Sequence, residues 1–302
     1  MTQWFHPRDS LARDGWQSVV DQSLDGWQHT GLRVGLLDGG ARLRLPAGEI
    51  ERMIVPLDGD VVVEYTSADD TGSETLGGRP SVFHGPSDVA YLGVGAAAVL
   101  SGRGRVAVAE GPATERIPVQ VMRASAVPVE IRGAGRSTRQ VHNFGTPQGL
   151  RAQKLIVCEV VTPAENWSSF PAHKHDESIP GVESNLEEIY YFESAVSRGV
   201  RAPATADPFG MFASYASPGR EIAINQLVRS GDIALVPFGY HGPAVAAPGY
   251  DLYYLNVMAG PDPDRAWNIT DDPAHGWIRQ TWEGQERDLR LPYTNQPEGT
   301  RR

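Results

Sequence analysis

Glycine and proline recur between short apolar or alternating runs, and this punctuation constrains the fold more than any other feature of the chain. With 33 glycines and 23 prolines among 302 residues, long uninterrupted helices have little room. Short period-2 runs bounded by turn residues read instead as strands. In the first half they fall at 32–37, 41–45, 61–65, 89–94, 97–100, 105–109, 118–123 and 127–132. The second half offers 154–162, 187–193, 210–216, 222–228, 232–236 and 252–258. Short helices are expected only near the N-terminus and around 274–282. The segments 69–78 and 198–207 read as exposed loops, and 293–302 as a polar, loosely held tail. Two similar series of strands, parted near 125–145, predict an all-β chain of two β-barrels, residues 1–130 and residues 131–302.

The charge balance narrows the partners. A formal net charge of −10 argues against nucleic acid and anionic membranes, both of which need a positive face. It leaves open a small anionic substrate, which a few local Arg or Lys residues can hold. The single cysteine, Cys158, lies in the apolar run Lys154-Leu155-Ile156-Val157-Cys158-Glu159-Val160-Val161 and reads as a small core residue. Residues 1–20 have no apolar signal core, and no run reaches the ~20 apolar residues of a membrane span. A soluble, cytoplasmic protein is expected. A homo-oligomer is compatible with the sequence, which does not fix the oligomeric state.

Chemistry concentrates in three fragments: Pro171-Ala172-His173-Lys174-His175-Asp176, Leu186-Glu187-Glu188-Ile189-Tyr190-Tyr191-Phe192, and Val236-Pro237-Phe238-Gly239-Tyr240-His241. Two histidines one residue apart on a strand point to the same side. A lone His-x-His pair is more often a polar surface pair than a chelate. Here it has company. Glu188 opens a very apolar strand, where an unpaired carboxylate is costly and a cation removes the cost. His241 follows a tight turn that sets it at the mouth of a barrel. Two imidazoles, a carboxylate and a third imidazole form a donor set for a divalent metal. The first half has no His-x-His, and its His84 reads as structural, so one metal per chain is expected.

These fragments resemble the cupin signature, which implies two cupin-like barrels, a bicupin. The pattern is stretched, because twelve residues separate His175 from Glu188 and 176–187 must form a loop over the site. The second half more closely resembles the bacterial 5-deoxy-glucuronate isomerase family of inositol catabolism, related to the 4-deoxy-5-hexosulose-uronate ketol-isomerases. Besides the three fragments, the resemblance is carried by Arg139-Gln140-Val141-His142-Asn143-Phe144 and by Tyr250-Asp251-Leu252-Tyr253-Tyr254-Leu255-Asn256-Val257-Met258. Carried over by position, the ligands are His173, His175, Glu188 and His241. Glu187 is the competing carboxylate, and Glu188 is preferred because it directly precedes the apolar strand.

The resemblance implies an aldose–ketose isomerisation of 5-deoxy-D-glucuronate to 5-dehydro-2-deoxy-D-gluconate. Such a reaction takes a proton from C2, returns one to C1 and stabilises an enediolate between them. A divalent metal suits that need without redox chemistry. His₃Glu accepts Zn, Mn, Fe, Ni or Co. Tyr190 and Tyr254 are the candidates for proton transfer, with apolar packing as the competing role. Of Tyr253 and Tyr254, at most one points inward. Arg139, Lys174 and Arg151 are the candidates for the substrate carboxylate, each with a solvated surface charge as its plainer role. Two other classes fit the same residues. A cupin dioxygenase would consume O₂ on turnover, and a non-catalytic sugar-acid-binding protein would bind a uronate without converting it.

Overall fold

A computed structural model describes residues 3–294. Nearly every element is a strand, and the helical turns are short 3₁₀ segments, the longest being Gly276–Trp282. Among the described residues no helix is long and apolar enough to cross a membrane.

The first barrel is built around one long strand, Ala97–Pro112. Its N-terminal part pairs with Leu43–Leu45 and Gly59–Thr66, and its C-terminal part with Gly31–Leu37 and Ile50–Pro56. The two runs read at 97–100 and 105–109 are thus one strand that passes from one wall of the barrel to the other. Gly102 and Gly104 make the passage, with φ of 126° and 98°. A Cβ on either would sit 2.3 Å from a backbone oxygen of the facing chain, so only glycine fits.

The second barrel closes a seven-stranded sheet over a six-stranded one. In the larger sheet the order is Phe5–His6, Ile233–Val236, Glu187–Val196, Tyr250–Ala259, Ile156–Thr162, Arg139–Gly145 and Val129–Arg132. The smaller contains Arg220–Val228, Gly210–Ser217, Tyr240–Ala246, His173–Lys174 and Thr270–Asp271, with Trp167–Ser168 beside Tyr240–Ala246. The segment after Ala259 runs back across this barrel. Arg265 donates to the carbonyls of Leu155 and Leu150, Asn166 donates to Asp288, and the Tyr293 backbone bonds to Gln140.

Strand alternation divides the apolar residues into three cores. Tyr254, Met258, Tyr190 and Phe192 fill the second barrel, while Tyr253, Leu255, Val257, Ile189 and Tyr191 pack outward against Val34, Met53, Val55 and Tyr91 of the first. The first barrel has its own filling of Leu37, Ile54, Val61, Leu92 and Val108. Strands buried on both faces lose the period-2 signal, which is why Ile156–Thr162 reads as a continuous apolar run. The interface also buries charge. Glu159 is bound by Arg79 through both guanidinium nitrogens, by the Tyr253 hydroxyl at 2.7 Å and by His142 at 2.9 Å.

Four expectations change. No helix forms near the N-terminus among the described residues, because Asp9, Asp14 and Gly15 take positive φ and turn the chain instead. The segment read as a loop at 69–78 is the strand Thr71–Arg79, paired with Gly59–Thr66. Its Ser, Thr and Gly side chains conceal an edge that backbone pairing creates. The strand Ile50–Pro56 escaped the pattern because Glu51 and Arg52 interrupt it, although both are buried with partners. Of the tail, Tyr293 is buried rather than loose, and 295–302 lie outside the described residues. The segment 198–207 is a loop, as expected.

Candidate metal centre

His173 and His241 sit opposite each other on paired strands, and His175 follows one residue after the first strand ends. The ring centroids of His173 and His175 each lie 4.6 Å from that of His241. One nitrogen from each ring falls within 4.8 Å of the other two. Glu188 enters from the larger sheet, its Oε2 3.1 Å from His175 Nε2 and 3.0 Å from His241 Nε2. Glu187 faces the other way, as strand alternation requires, and accepts bonds from the backbone N–H groups of Gln28, His29 and Thr30.

The outer nitrogens orient the rings. Nδ1 of His173 lies 3.3 Å from the Pro171 carbonyl, that of His175 3.1 Å from the Leu186 carbonyl, and that of His241 3.2 Å from the Gly239 carbonyl. A carbonyl only accepts, so each Nδ1 carries a proton. Opposite the anionic Glu188, the Nε2 of His175 carries one as well and donates to Oε2. His241 Nε2 has no aligned hydrogen-bond partner despite its short distance to Glu188. Burial pushes the His173 imidazolium well below the usual histidine range, aided by the other two rings. Burial also acts against charge on His175, but the bond to Glu188 outweighs it and raises that ring. Burial likewise pushes Glu188 up, and the two imidazoles bring it down to about 2. Three converging imidazoles, two of them against a buried anionic carboxylate, fit a divalent cation.

A second group of acids, Asp176, Glu177 and Glu183, lies close by, but it already holds a cation. Lys174 Nζ donates to all three, at 2.7, 2.7 and 2.8 Å. Burial opposes its charge, yet these bonds raise its pKa. Asp176 also accepts from Ser217 and from the Gly239 backbone N–H. The cluster thereby ties the His173–His175 segment to the turn that carries His241. The stretch at 176–187 is not an irregular loop but a hairpin, Asp176–Ile179 with Glu183–Asn185.

The three substrate-binding candidates separate. Lys174 spends its three donors on the acid cluster. Arg151 is exposed and paired with Glu115 of the first half. Arg139 is buried on the inner face of its strand, donates to the Ser137 carbonyl and lies 5.6 Å over the Trp282 ring. Among the described residues no carboxylate pairs with it. Burial lowers its pKa to about 10.

Tyr190 and Tyr254 both point inward, their rings tilted at 46° with centroids 5.1 Å apart, and the Tyr190 ring lies 6.1 Å from that of His241. Tyr253 turns to the interface. Burial raises both inward phenols, so each stays protonated. Tyr190 hydrogen-bonds Ser169 at 3.0 Å. His84 bonds Ser81 and has no chelating neighbour among the described residues, and Cys158 is fully buried. One polar side chain of this interior went unnoticed in the sequence. Asn256 lies between Leu255 and Val257, where the only signal was a lone amide in an apolar strand.

Known proteins share this architecture. The 5-deoxy-glucuronate isomerase of Geobacillus kaustophilus is 37% identical over 284 residues, covering 93% of this chain and 97% of its own. That of Lacticaseibacillus casei is 32% identical, covering 92% and 98%. An IolB-like protein of Salmonella typhimurium superposes with a TM-score of 0.79 at 33% identity, over 91% of this chain and 98% of its own. An oxalate decarboxylase of Bacillus subtilis superposes with a TM-score of 0.60 at 11% identity, over 90% and 80%, and so shares the fold alone. The KduI/IolB family profile matches residues 4–278. With that match spanning most of the chain, and with relatives above 30% identity across nearly its whole length, the chain belongs to the KduI/IolB family.

Proposed function

We infer that this protein is an aldose–ketose isomerase of inositol catabolism, converting 5-deoxy-D-glucuronate to 5-dehydro-2-deoxy-D-gluconate. The reaction requires metal held by His173, His175, Glu188 and His241. What carries the metal dependence is the direction of the rings: three Nδ1–H groups tied to carbonyls, with the Nε2 atoms of His175 and His241 against a buried carboxylate. Held by these residues, a divalent ion would supply positive charge that favours an enediolate. The division of labour between the halves falls in the connection between Met122 and Val129, slightly ahead of residue 130, because Val129–Arg132 pairs within the second sheet.

The protein's own groups set the rest. Arg139, buried and without a carboxylate partner, holds the uronate carboxylate. Tyr190 and Tyr254, kept neutral by burial, serve as hydrogen-bond donors and not as bases. The wall of Tyr190, Phe192, Phe212 and Tyr254 excludes water from the enediolate.

The test is metal analysis of the purified protein, then proton NMR of 5-deoxy-glucuronate incubated with it in D₂O. One metal per chain, product formation without O₂ or nicotinamide, and solvent deuterium at the protonated carbon are expected. His241→Ala should lose metal and turnover together, while His84→Ala keeps both. A need for O₂, or full metal in an active His241→Ala protein, would overturn the assignment.

A further inference from the structure

The second barrel buries an amide donor that finds no acceptor among the described residues. Asn256 is 3% exposed, and its Nδ2 has no hydrogen-bond partner. It lies mid-strand in Tyr250–Ala259, in unbroken register, directly opposite Tyr190 on one side and Cys158 on the other. Its neighbours two residues away, Tyr254 and Met258, both point into the barrel, so Asn256 does as well. The next pair along is Glu188 with Met258. That places the amide on the diagonal from Glu188, about 7–8 Å away by strand geometry, a separation that one small sugar acid spans.

An unpaired donor in an apolar interior destabilises a fold, and an apolar group of the same shape is commonly neutral or better. A protein that keeps such a donor beside its reaction centre gains from it only when a ligand supplies the acceptor. We propose that Asn256 is a catalytic residue: its Nδ2–H donates to the substrate oxygen that gains negative charge as the C2 proton leaves. The proposal rests on the isomerase reading above and adds to it a donor supplied by the protein. No bond to the protein forms. The amide keeps its protons, and only the hydrogen bond strengthens as charge develops.

The experiment compares Asn256→Leu with the wild type in three measurements: isomerisation of 5-deoxy-glucuronate, metal content and thermal unfolding. Loss of one such donor should lower kcat by about 10²–10³-fold with KM little changed, since the bond is made mainly in the transition state. Metal content should stay at the wild-type level, and Tm should hold or rise because an unpaired amide has gone. Retained kcat would overturn the proposal. So would a fall in Tm and metal content parallel to the loss of activity, which would mark a structural role. If leucine proves too bulky to fold, Asn256→Ala carries the same test through its kcat-against-KM split. A wild type inactive on 5-deoxy-glucuronate would instead sink the isomerase reading itself, so the two failures are distinct.

Discussion

Each barrel buries a carboxylate among basic side chains on its inner side, and the two solve the problem differently. In the first, Glu110 receives Arg52 at 2.8 Å and Arg33 at 2.9 Å. Arg52 spends its remaining donors on the carbonyls of Ala96 and Pro46. The charge of the carboxylate is settled within the protein. In the second, Glu188 accepts from His175 Nε2, while His241 Nε2, 3.0 Å away, finds no aligned partner. That set is left incomplete within the protein. The difference teaches that a buried ion set marks a site when its donors converge unsatisfied, and marks scaffold when they are spent.

The contrast can be broken by removing each carboxylate. Glu110→Gln strands the buried Arg52 guanidinium beside the half-buried Arg33 and should cost about 3–5 kcal/mol in denaturant unfolding, with activity per folded molecule preserved. Glu188→Gln should lower the Tm of the metal-free protein less than that, yet abolish metal binding and turnover. Equal stability losses with activity kept in both would erase the distinction.

The interface charge sharpens it next. Burial pushes Glu159 up, but Arg79 and His142 bring it down to about 2 from a usual 4.5. A folded pKa below the unfolded one contributes stability that is complete above the unfolded value and lost as pH falls through the folded one. The amount is about 3 kcal/mol, lost between pH 4.5 and about 2. Urea unfolding at pH 7 and pH 3 should show it, and Glu159→Gln should unfold with a shallower pH slope. An unchanged slope would mean that the interface does not hold this carboxyl ionised.

Smaller effects belong to the groups around the centre. Lys174→Met should weaken metal affinity about 10–100-fold, read by competition with a chelator, because the acid cluster that steadies the ligand segment loses its cation. Arg139→Met should raise KM for the uronate by about 10–100-fold with the metal retained. Arg151→Ala, at an exposed pair with Glu115, should change stability by at most about 0.5 kcal/mol and leave KM alone. A KM effect at Arg151 would reinstate it as a substrate ligand.

Much of this was legible in the chain. Period-2 runs and dense turn residues specify strands locally, so the all-β class followed directly. Alternation alone set Glu187 and Glu188 on opposite faces, and Tyr253 and Tyr254 likewise, because successive strand side chains cannot share a side. Strands that depart from the pattern were lost. Ile50–Pro56 carries charges that only distant residues neutralise, and Thr71–Arg79 is polar on an edge that only pairing defines.

The sequence by itself determined the strand class, the facing of neighbouring residues and the three fragments that bear the imidazoles and the carboxylate. Only the tertiary structure decided how charges were spent: that Lys174 is locked by three acids, that Arg151 is outside, that Arg139 is buried without a carboxylate and that Asn256 lacks a partner. The reason is physical. Facing is a local property of the backbone, fixed by a repeat of two residues. Whether a polar group is satisfied depends on atoms brought together from across the chain, as when Asp176 meets Gly239 or Glu159 meets Arg79.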